Sequence, residues 1–234
     1  MARNSKPVEL NRRVMLAGLG ASFAGALTVP ALAADPAVTS CVLTPVTDEG
    51  PFYFDPKLVR ADITEKLAGA PLTLALRVVR AGDCIALPKA RVDVWHADAH
   101  GVYSGYERQQ GTGDGTERLA LGKTFLRGTQ FADSDGGVTF KTVYPSWYRG
   151  RTPHIHFKVF LENNEVAVSQ LYFSDDVNAE VFEHAAPYRE RFKKRDTFNT
   201  TDMFLRDRVG GAFCSVTRAG EAYRASVVIG IARA

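Results

Sequence analysis

The chain has 234 residues, 45% of them hydrophobic, with 29 basic and 26 acidic side chains. That length suffices for one sizeable hydrophobic core, and no linker or low-complexity tract divides it, so we predict a single domain at 34–234 after a short N-terminal segment. Four of the basic residues and one acidic residue lie within 1–33, so the remainder carries 25 of each. A formally neutral domain gives no electrostatic support to a nucleic-acid partner.

Residues 1–33 read as an export signal. Arg12 and Arg13 precede a weakly apolar run at 17–29, and residues 31–33 are Ala-Leu-Ala, a small-residue cleavage pattern. Paired arginines in this setting predict a twin-arginine signal and a periplasmic protein, with an ordinary secretory signal as the alternative. The apolar run is short for a membrane span, so we expect no stable membrane insertion once the signal is removed.

Three cysteines follow this segment: Cys41, Cys84 and Cys214. In an oxidising compartment they predict one disulfide and one free thiol. The pairing cannot be derived from the sequence, and a Cys41–Cys214 bridge that joins the two ends of the domain is one of the arrangements left open.

Most of the chain alternates short apolar segments with turn residues, which is typical of an all-β protein. The predicted strands are 72–78, 90–97, 124–128, 137–143, 154–161, 166–173 and 222–231. The acidic turn at 133–136 reads as a hairpin, and only 178–195 reads as a helix, with basic residues toward its C-terminal end. We therefore predict a β-sandwich of mainly antiparallel strands with one short helical segment near the C-terminal third.

The segment 142–157, Thr-Val-Tyr-Pro-Ser-Trp-Tyr-Arg-Gly-Arg-Thr-Pro-His-Ile-His-Phe, concentrates side chains that bind metals. Alternation along a strand places His154 and His156 on one face, about 7 Å apart at the backbone, where they can hold one ion. The segment has neither the thiolates of a structural zinc site nor an acidic residue at a fixed offset from the histidines, as in 2-His-1-carboxylate iron sites.

The residues before the histidine pair strengthen this interpretation. Gly150 and Pro153 bracket a tight connection that would return Tyr148 and Arg151 toward the imidazoles. A bare His-x-His pattern also arises by chance on alternating strands, where hydrogen bonds satisfy both rings.

Two further histidines compete as ligands. His96 lies within a predicted strand beside Trp95, so we expect it to pack, and His100 lies in a predicted turn, so we expect it to be solvated.

Five motifs together resemble the intradiol ring-cleavage dioxygenases, the family of protocatechuate 3,4-dioxygenase and catechol 1,2-dioxygenase, and in particular its small exported branch. They are Glu49-Gly50-Pro51-Phe52-Tyr53, Val94-Trp95-His96-Ala97-Asp98, Gly101-Val102-Tyr103, the turn at Asp135-Gly136, and Tyr148 to His156. They cover nearly all of the chain after the signal, in the family's order.

The resemblance implies one mononuclear non-haem Fe(III) held by Tyr103, Tyr148, His154 and His156. Tyr103 matches the family's equatorial tyrosine, and Tyr148 matches the axial tyrosine that substrate displaces. Tyr144 is a rival to Tyr148 that fits the motif less well. Two phenolates and a hydroxide would balance the three charges of ferric iron, which hard anionic oxygen donors favour over ferrous iron.

The implied catalytic residues are Tyr148, Arg151 and Gln170. Arg151 matches the family's arginine beside the bound substrate, and Gln170, on the following strand, matches a glutamine just outside the direct metal ligands. The implied reaction is cleavage of a catechol by O₂ to a cis,cis-muconate-type dicarboxylic acid, within aromatic catabolism. A homo-oligomer is left open by the sequence.

Two positions and the length of one link depart from the family pattern. Ser146 stands where glycine is common, Ala97 stands where the exported branch often has cysteine, and the link from Tyr148 to His154 is shorter than in the dedicated catechol enzymes. Because this link helps to wall the substrate pocket, a shorter link predicts a more open site. The substrate of this protein therefore cannot be inferred from those relatives.

The sequence is also compatible with two other functions. The first is an exported zinc or copper enzyme that uses His154, His156 and a third histidine, either His96 or His100. The second is a non-catalytic β-sandwich that binds an aromatic or carbohydrate ligand through Tyr53, Tyr103 and Trp147.

Overall fold

The computed structural model of the protein describes residues 41–107, 109, 119–205 and 212–232. The predicted signal and most of the Gly/Thr-rich loop at 109–122 lie outside these ranges, so their structure is not described. Within the described residues, no helix combines the length and the hydropathy needed to cross a membrane.

The described chain forms nine strands and two short helices. They are β1 (Pro71–Arg80), β2 (Arg91–Trp95), β3 (Arg127–Phe131), β4 (Gly137–Val143), β5 (His154–Leu161), β6 (Asn164–Tyr172), α1 (Asp175–His184), α2 (Arg189–Phe192), β7 (Ala212–Phe213), β8 (Ser215–Ala219) and β9 (Ala222–Ile231). This confirms the predicted all-β class.

The strands build two mixed sheets. The four-stranded sheet has the order β4-β1-β9-β8 and the five-stranded sheet has the order β3-β2-β5-β6-β7. Antiparallel pairs predominate, with β1–β9 and β6–β7 as the parallel pairs. Because non-adjacent parts of the chain pair in both sheets, residues far apart in sequence are brought to one face.

The core lies between the two sheets and follows the predicted alternation. Leu72, Leu74, Leu76 and Val78 of β1 are buried in one continuous cluster with the β5 residues Ile155 and Phe157. Each fully buried aliphatic or aromatic side chain contributes about 1.5–3 kcal/mol relative to exposure. The opposite face of β5 is thereby left to carry polar side chains.

That outer face of the five-stranded sheet is covered by the N-terminal arm, residues 45–55. Backbone and side-chain hydrogen bonds join the arm to β6: Thr47 N donates to Val168 O at 3.0 Å, and Ser169 Oγ donates to Pro45 O at 2.5 Å. The buried ammonium of Lys158 pairs with Glu49 of the arm. The arm therefore encloses the polar face of β5.

The strands β5 and β6, both predicted, form an antiparallel hairpin, and two consecutive residues explain its tight turn. Glu162 and Asn163 both have positive φ values, 50° and 71°. Consecutive left-handed residues match the right-handed twist of paired strands.

The turn at 133–136 does not form the predicted hairpin. It carries the chain from β3 in the five-stranded sheet to β4 in the other sheet. The turn itself is present, and Asp133 Oδ1 accepts hydrogen bonds from the backbone of Asp135 and Gly137 at 2.9 and 2.7 Å. A well-capped turn fixes a chain reversal but does not determine which strands pair.

The strand predicted at 124–128 begins later, at Arg127, because Leu126 has a φ of +55° that an extended strand cannot contain. The helix predicted at 178–195 is two helices. α1 begins three residues earlier, at Asp175, where Ser174 caps it, and the pair Ala186-Pro187 separates α1 from α2 because the residue before proline disfavours helical backbone.

One disulfide and one free thiol are present, as predicted, and of the pairings left open the Cys41–Cys214 bridge does not form. Cys41 bonds to Cys84, and Cys214 is free. β1 pairs in parallel with β9, and Cys84 lies just after β1. In the same turn, Gly82 N donates to Cys41 O at 2.9 Å, which holds Cys41 beside Cys84.

Candidate metal centre

The two histidines of β5 face the same side, as the strand alternation predicts. His154 and His156 are buried, with their Nε2 atoms 3.1 Å apart, while Ile155 and Phe157 point into the core between the sheets. The His156 ring stacks on Trp95 of β2 at a centroid distance of 4.9 Å. The neighbouring strand thus fixes the plane of this ring.

A two-residue turn brings Tyr148 back toward the histidines, again as predicted. Tyr148 and Arg151 form an isolated β-bridge in which Arg151 N donates to Tyr148 O at 2.8 Å. Gly150 in the turn has a φ of +79°, a backbone conformation that glycine adopts without strain. The Tyr148 hydroxyl lies 3.3 Å from His154 Nε2.

Tyr103 reaches the same point from the segment after β2. Its hydroxyl lies 3.2 Å from His154 Nε2 and 3.1 Å from His156 Nε2. The amide of Gln109 holds the backbone of Tyr103 at both ends, accepting from its N–H at 2.5 Å and donating to its carbonyl at 2.7 Å. The ring of Phe52, on the arm, stacks on Tyr103 at 4.7 Å.

All four predicted metal ligands therefore converge. Their donor atoms are separated by 3.1–3.3 Å in the contacts that join Tyr103, Tyr148, His154 and His156. Atoms bound at about 2 Å to a single ion lie about 3 Å from one another, so these residues fit one metal ion. Two phenol oxygens with two imidazole nitrogens form a donor set suited to ferric iron.

The tautomer of His154 is set by its neighbour. His154 Nδ1 lies 2.6 Å from the carbonyl oxygen of Thr152, which can only accept, so Nδ1 carries the proton and Nε2 presents a lone pair. His156 Nδ1 is buried and makes no hydrogen bond to the described residues. Burial, reinforced by the positive charge of Arg151, lowers the pKa of both histidines well below the usual value. Both rings are thus neutral, the form that binds metals.

The phenols have the opposite response to the same burial. Burial raises the pKa of Tyr103 well above its usual value and also raises the pKa of Tyr148. Phenolate forms of these side chains therefore require a compensating cation, and a bound trivalent ion would supply it. The donor set fits a metal better than it fits a network of neutral hydrogen bonds.

Arg151 is the centre of a buried polar network beside the ligands. Its Nη2 donates to Gln170 Oε1, and its Nη1 lies 3.5 Å from the Tyr148 hydroxyl. Gln170 Nε2 in turn donates to the carbonyl of Asp48 at 3.0 Å, and the Tyr172 hydroxyl donates to Gln170 Oε1 at 2.9 Å. The structure thus brings Gln170 to Arg151 rather than to the ligand atoms.

Asp202 completes this network and was not identified from the sequence. It is fully buried and forms an ion pair with Arg151, with Nε to Oδ2 at 3.0 Å. Burial disfavours the charge on Arg151, but the neighbouring Tyr148 and Asp202 outweigh it, so the pKa of Arg151 is raised. The two residues are 51 positions apart, and no local spacing links them.

A cavity of about 170 Å³ opens beside these residues. Its polar side is formed by Tyr148, Arg151 and His156, and its other side chains are Pro51, Phe52, Arg149, Met203 and Phe204. Tyr148 lines this cavity, whereas Tyr103 is covered by Phe52. The two tyrosines thus differ in access to a small molecule.

The rival ligands do not join the centre. His96 is buried, with Nδ1 2.8 Å from Ala97 O and Nε2 2.7 Å from Thr142 Oγ1, so both ring nitrogens are engaged elsewhere. His100 is half-buried in a turn. The Tyr144 hydroxyl donates to Asn178 at 2.7 Å inside the core. Across the described ranges, no three His, Cys, Asp or Glu side chains are grouped to hold a metal.

Comparison with known proteins gives a consistent result. A family model described as Dioxygenase matches residues 49–187, more than half of the chain. An intradiol ring-cleavage dioxygenase from Tetranychus urticae is similar in structure, with a TM-score of 0.71, 26% identity, and coverage of 82% of this chain and 95% of that one.

Two bacterial structures are also similar. The dioxygenase domain of a dioxygenase carbohydrate-binding protein fusion from Streptomyces sp. SirexAA-E has a TM-score of 0.55 and 26% identity, over 81% of this chain and 99% of that one. The 3-chlorocatechol 1,2-dioxygenase of Rhodococcus opacus 1CP shares the fold, with a TM-score of 0.55 and 19% identity over 82% of this chain and 73% of that one. No curated protein sequence matches the chain.

Proposed function

This chain belongs to the intradiol ring-cleavage dioxygenase family, and we propose that it uses one ferric ion, held by Tyr103, Tyr148, His154 and His156, to cleave a catechol with O₂. Both oxygen atoms enter the product, a cis,cis-muconate-type dicarboxylic acid. The observation that carries the proposal is the convergence of two phenol oxygens and two imidazole nitrogens at one side of a cavity.

A bound ferric ion would supply Lewis acidity toward the two catechol oxygens and make the ring reactive toward O₂. Of the two tyrosines, Tyr148 would be the ligand that responds to substrate, because it lines the cavity whereas Tyr103 is covered by Phe52. Its phenolate oxygen would accept the proton of one catechol hydroxyl and leave as a neutral phenol. Tyr103, packed beneath Phe52, would stay in place.

Arg151 would stabilise negative charge on the substrate. Its Nη1 lies 3.5 Å from the Tyr148 hydroxyl and Arg151 lines the cavity, so the guanidinium would lie near the anionic oxygen of a bound substrate. A fixed cation in a water-poor site stabilises developing charge far more than one in bulk water. Gln170 would hold the other edge of the guanidinium and so keep this donor directed at the substrate.

The cavity supports a small aromatic substrate. Its size of about 170 Å³ suits a single substituted ring, and the rings of Phe52 and Phe204 offer apolar walls to it. Arg149, which is exposed, is a cation on the cavity lining. A catechol is the substrate class that combines an apolar ring with two adjacent metal-binding oxygens.

The test is O₂ uptake by the iron-loaded protein across a series of substituted catechols, with each product identified. We expect equimolar O₂ consumption and a ring-opened diacid, and a red-brown colour from ferric phenolate. Colourless protein that retains zinc would favour the zinc enzyme. Ligand binding without O₂ consumption for any catechol would favour the non-catalytic sandwich.

A further inference from the structure

The carboxylate of Asp202 makes four hydrogen bonds inside the protein. Its Oδ2 accepts from Arg151 Nε at 3.0 Å and from the backbone N–H of Thr152 at 2.8 Å. Its Oδ1 accepts from the backbone N–H of Phe204 at 2.8 Å and of Leu205 at 3.1 Å. With no exposed surface and both oxygens engaged twice, this carboxylate has one orientation.

The bond to Arg151 Nε determines where the rest of the guanidinium points. The group is planar, so fixing Nε by Asp202 and Nη2 by Gln170 leaves a single direction for Nη1. That direction is toward the Tyr148 hydroxyl, 3.5 Å away. The ring of Phe204 packs against one face of the guanidinium, with its centroid 4.4 Å from Arg151 Cζ.

The bond to Thr152 extends the influence of Asp202 to a metal ligand. Thr152 donates its N–H to Asp202, and its carbonyl accepts the Nδ1 proton of His154 at 2.6 Å. One carboxylate is therefore connected to the substrate-facing arginine and, through one residue, to the ring that presents a lone pair to the metal. Partners behind a metal-binding histidine set its tautomer and orientation.

The same carboxylate also holds part of the cavity wall. Its bonds to the backbone of Phe204 and Leu205 fix the segment that places Met203 and Phe204 on the cavity. Arginine, metal ligand and wall thus share one anchor.

From these contacts we infer that Asp202 is a positioning residue for ring cleavage: it holds Arg151 in the orientation that stabilises the anionic substrate. The inference rests on the proposed function. A purely structural ion pair would affect only stability. A positioning role requires in addition that the loss of Asp202 slow the reaction through Arg151.

The test compares Asp202→Asn, Arg151→Ala and the double variant in iron-loaded full-length protein. Asn keeps the volume of the side chain but replaces one acceptor oxygen by a donor. The matched control is Asp175→Asn, since Asp175 also pairs with an arginine, Arg195, and binds the backbone of Asn199 in the same segment, but does not contact Arg151.

We expect Asp202→Asn to lower kcat by about 10- to 100-fold with a smaller change in KM, because a misdirected group loses transition-state stabilisation. In the Arg151→Ala background, the same substitution should lower kcat/KM by a clearly smaller factor than in the wild type, since residues that act as a unit are not additive. Fully additive losses, or an equal loss of kcat in Asp175→Asn, would overturn the inference.

A metal-free measurement separates this inference from the proposed function. The wild type, the two single variants and the double variant are unfolded in urea without metal. We expect the loss of unfolding free energy in the double variant to be smaller than the sum of the two single losses. If the two effects are coupled but the wild-type protein turns over no catechol, the proposed function alone is contradicted. Additive unfolding effects in an active enzyme would contradict the positioning role alone.

Discussion

Replacement of His96 by glutamine tests both the assignment of the ligands and the electrostatics of the core. The imidazole of His96 is fully buried and satisfied in its neutral form: Nδ1–H donates to Ala97 O, so Nε2 accepts from the Thr142 hydroxyl. Burial lowers its pKa to about 4, against an ordinary value of 6.5. Glutamine is neutral throughout this range and removes the titration.

The magnitude follows from that difference in pKa. Between pH 6.5 and pH 4 the unfolded chain binds a proton at His96 that the folded protein does not, so stability falls as the pH falls through this window. For one group, lowering the pH from 7.5 to 4.5 removes about 2–3 kcal/mol of stability, since each pKa unit corresponds to about 1.4 kcal/mol. Over the same pH interval, the unfolding free energy of His96→Gln should therefore fall by about 2–3 kcal/mol less than that of the wild type.

The assay is urea unfolding of metal-free wild type and His96→Gln at pH 7.5 and pH 4.5. His184→Gln, the same substitution at an exposed position on α1, is the matched control. An unchanged pH dependence in His96→Gln would refute the argument. The variant should also retain iron and activity; loss of iron with intact folding would instead favour a metal site that includes His96.

Three further outcomes are expected. Tyr148→Phe should reduce both the visible ferric-phenolate absorbance and catechol turnover, the latter by about 100-fold, whereas Tyr144→Phe, outside the site, should retain both; equal effects would contradict the ligand assignment. Lys158→Met should lower the unfolding free energy by about 1–3 kcal/mol, because it removes the charge that binds the arm and packs on an aromatic ring; an unchanged urea midpoint would contradict that role. Cys41→Ser should cost about 2–4 kcal/mol by opening the loop to Cys84, measured as a lower Tm than that of the oxidised wild type.

Local sequence patterns were sufficient for part of the site. Alternation along β5 correctly placed His154 and His156 on one face, and the turn residue Gly150 correctly indicated that Tyr148 returns to them. These features depend on contacts within a few residues, where backbone geometry alone determines which side chains meet.

The assignment of Tyr103 came from the resemblance to a family and not from any local pattern. Its hydroxyl meets His154 across 51 residues, and Gln109, which holds its backbone, lies in a segment that reads only as a polar loop. Family motifs thus carried long-range information that periodicity lacks.

Sheet pairing was the main source of error. The turn at 133–136 was correctly located, yet it joins the two sheets instead of closing a hairpin, and the pairing of Cys41 with Cys84 was left open by the sequence. Both outcomes depend on which strands hydrogen-bond to one another, and a turn or a cysteine count contains no information on that choice.

By itself the sequence determined the all-β class, the main strands and the two-histidine face, because the period of apolar residues directly reflects backbone geometry. Only the tertiary structure decided that Asp202 holds Arg151 and that the arm covers the polar side of β5. The physical reason is that a buried charge must find a partner wherever the fold brings one within reach, and that partner is selected by packing across the whole domain.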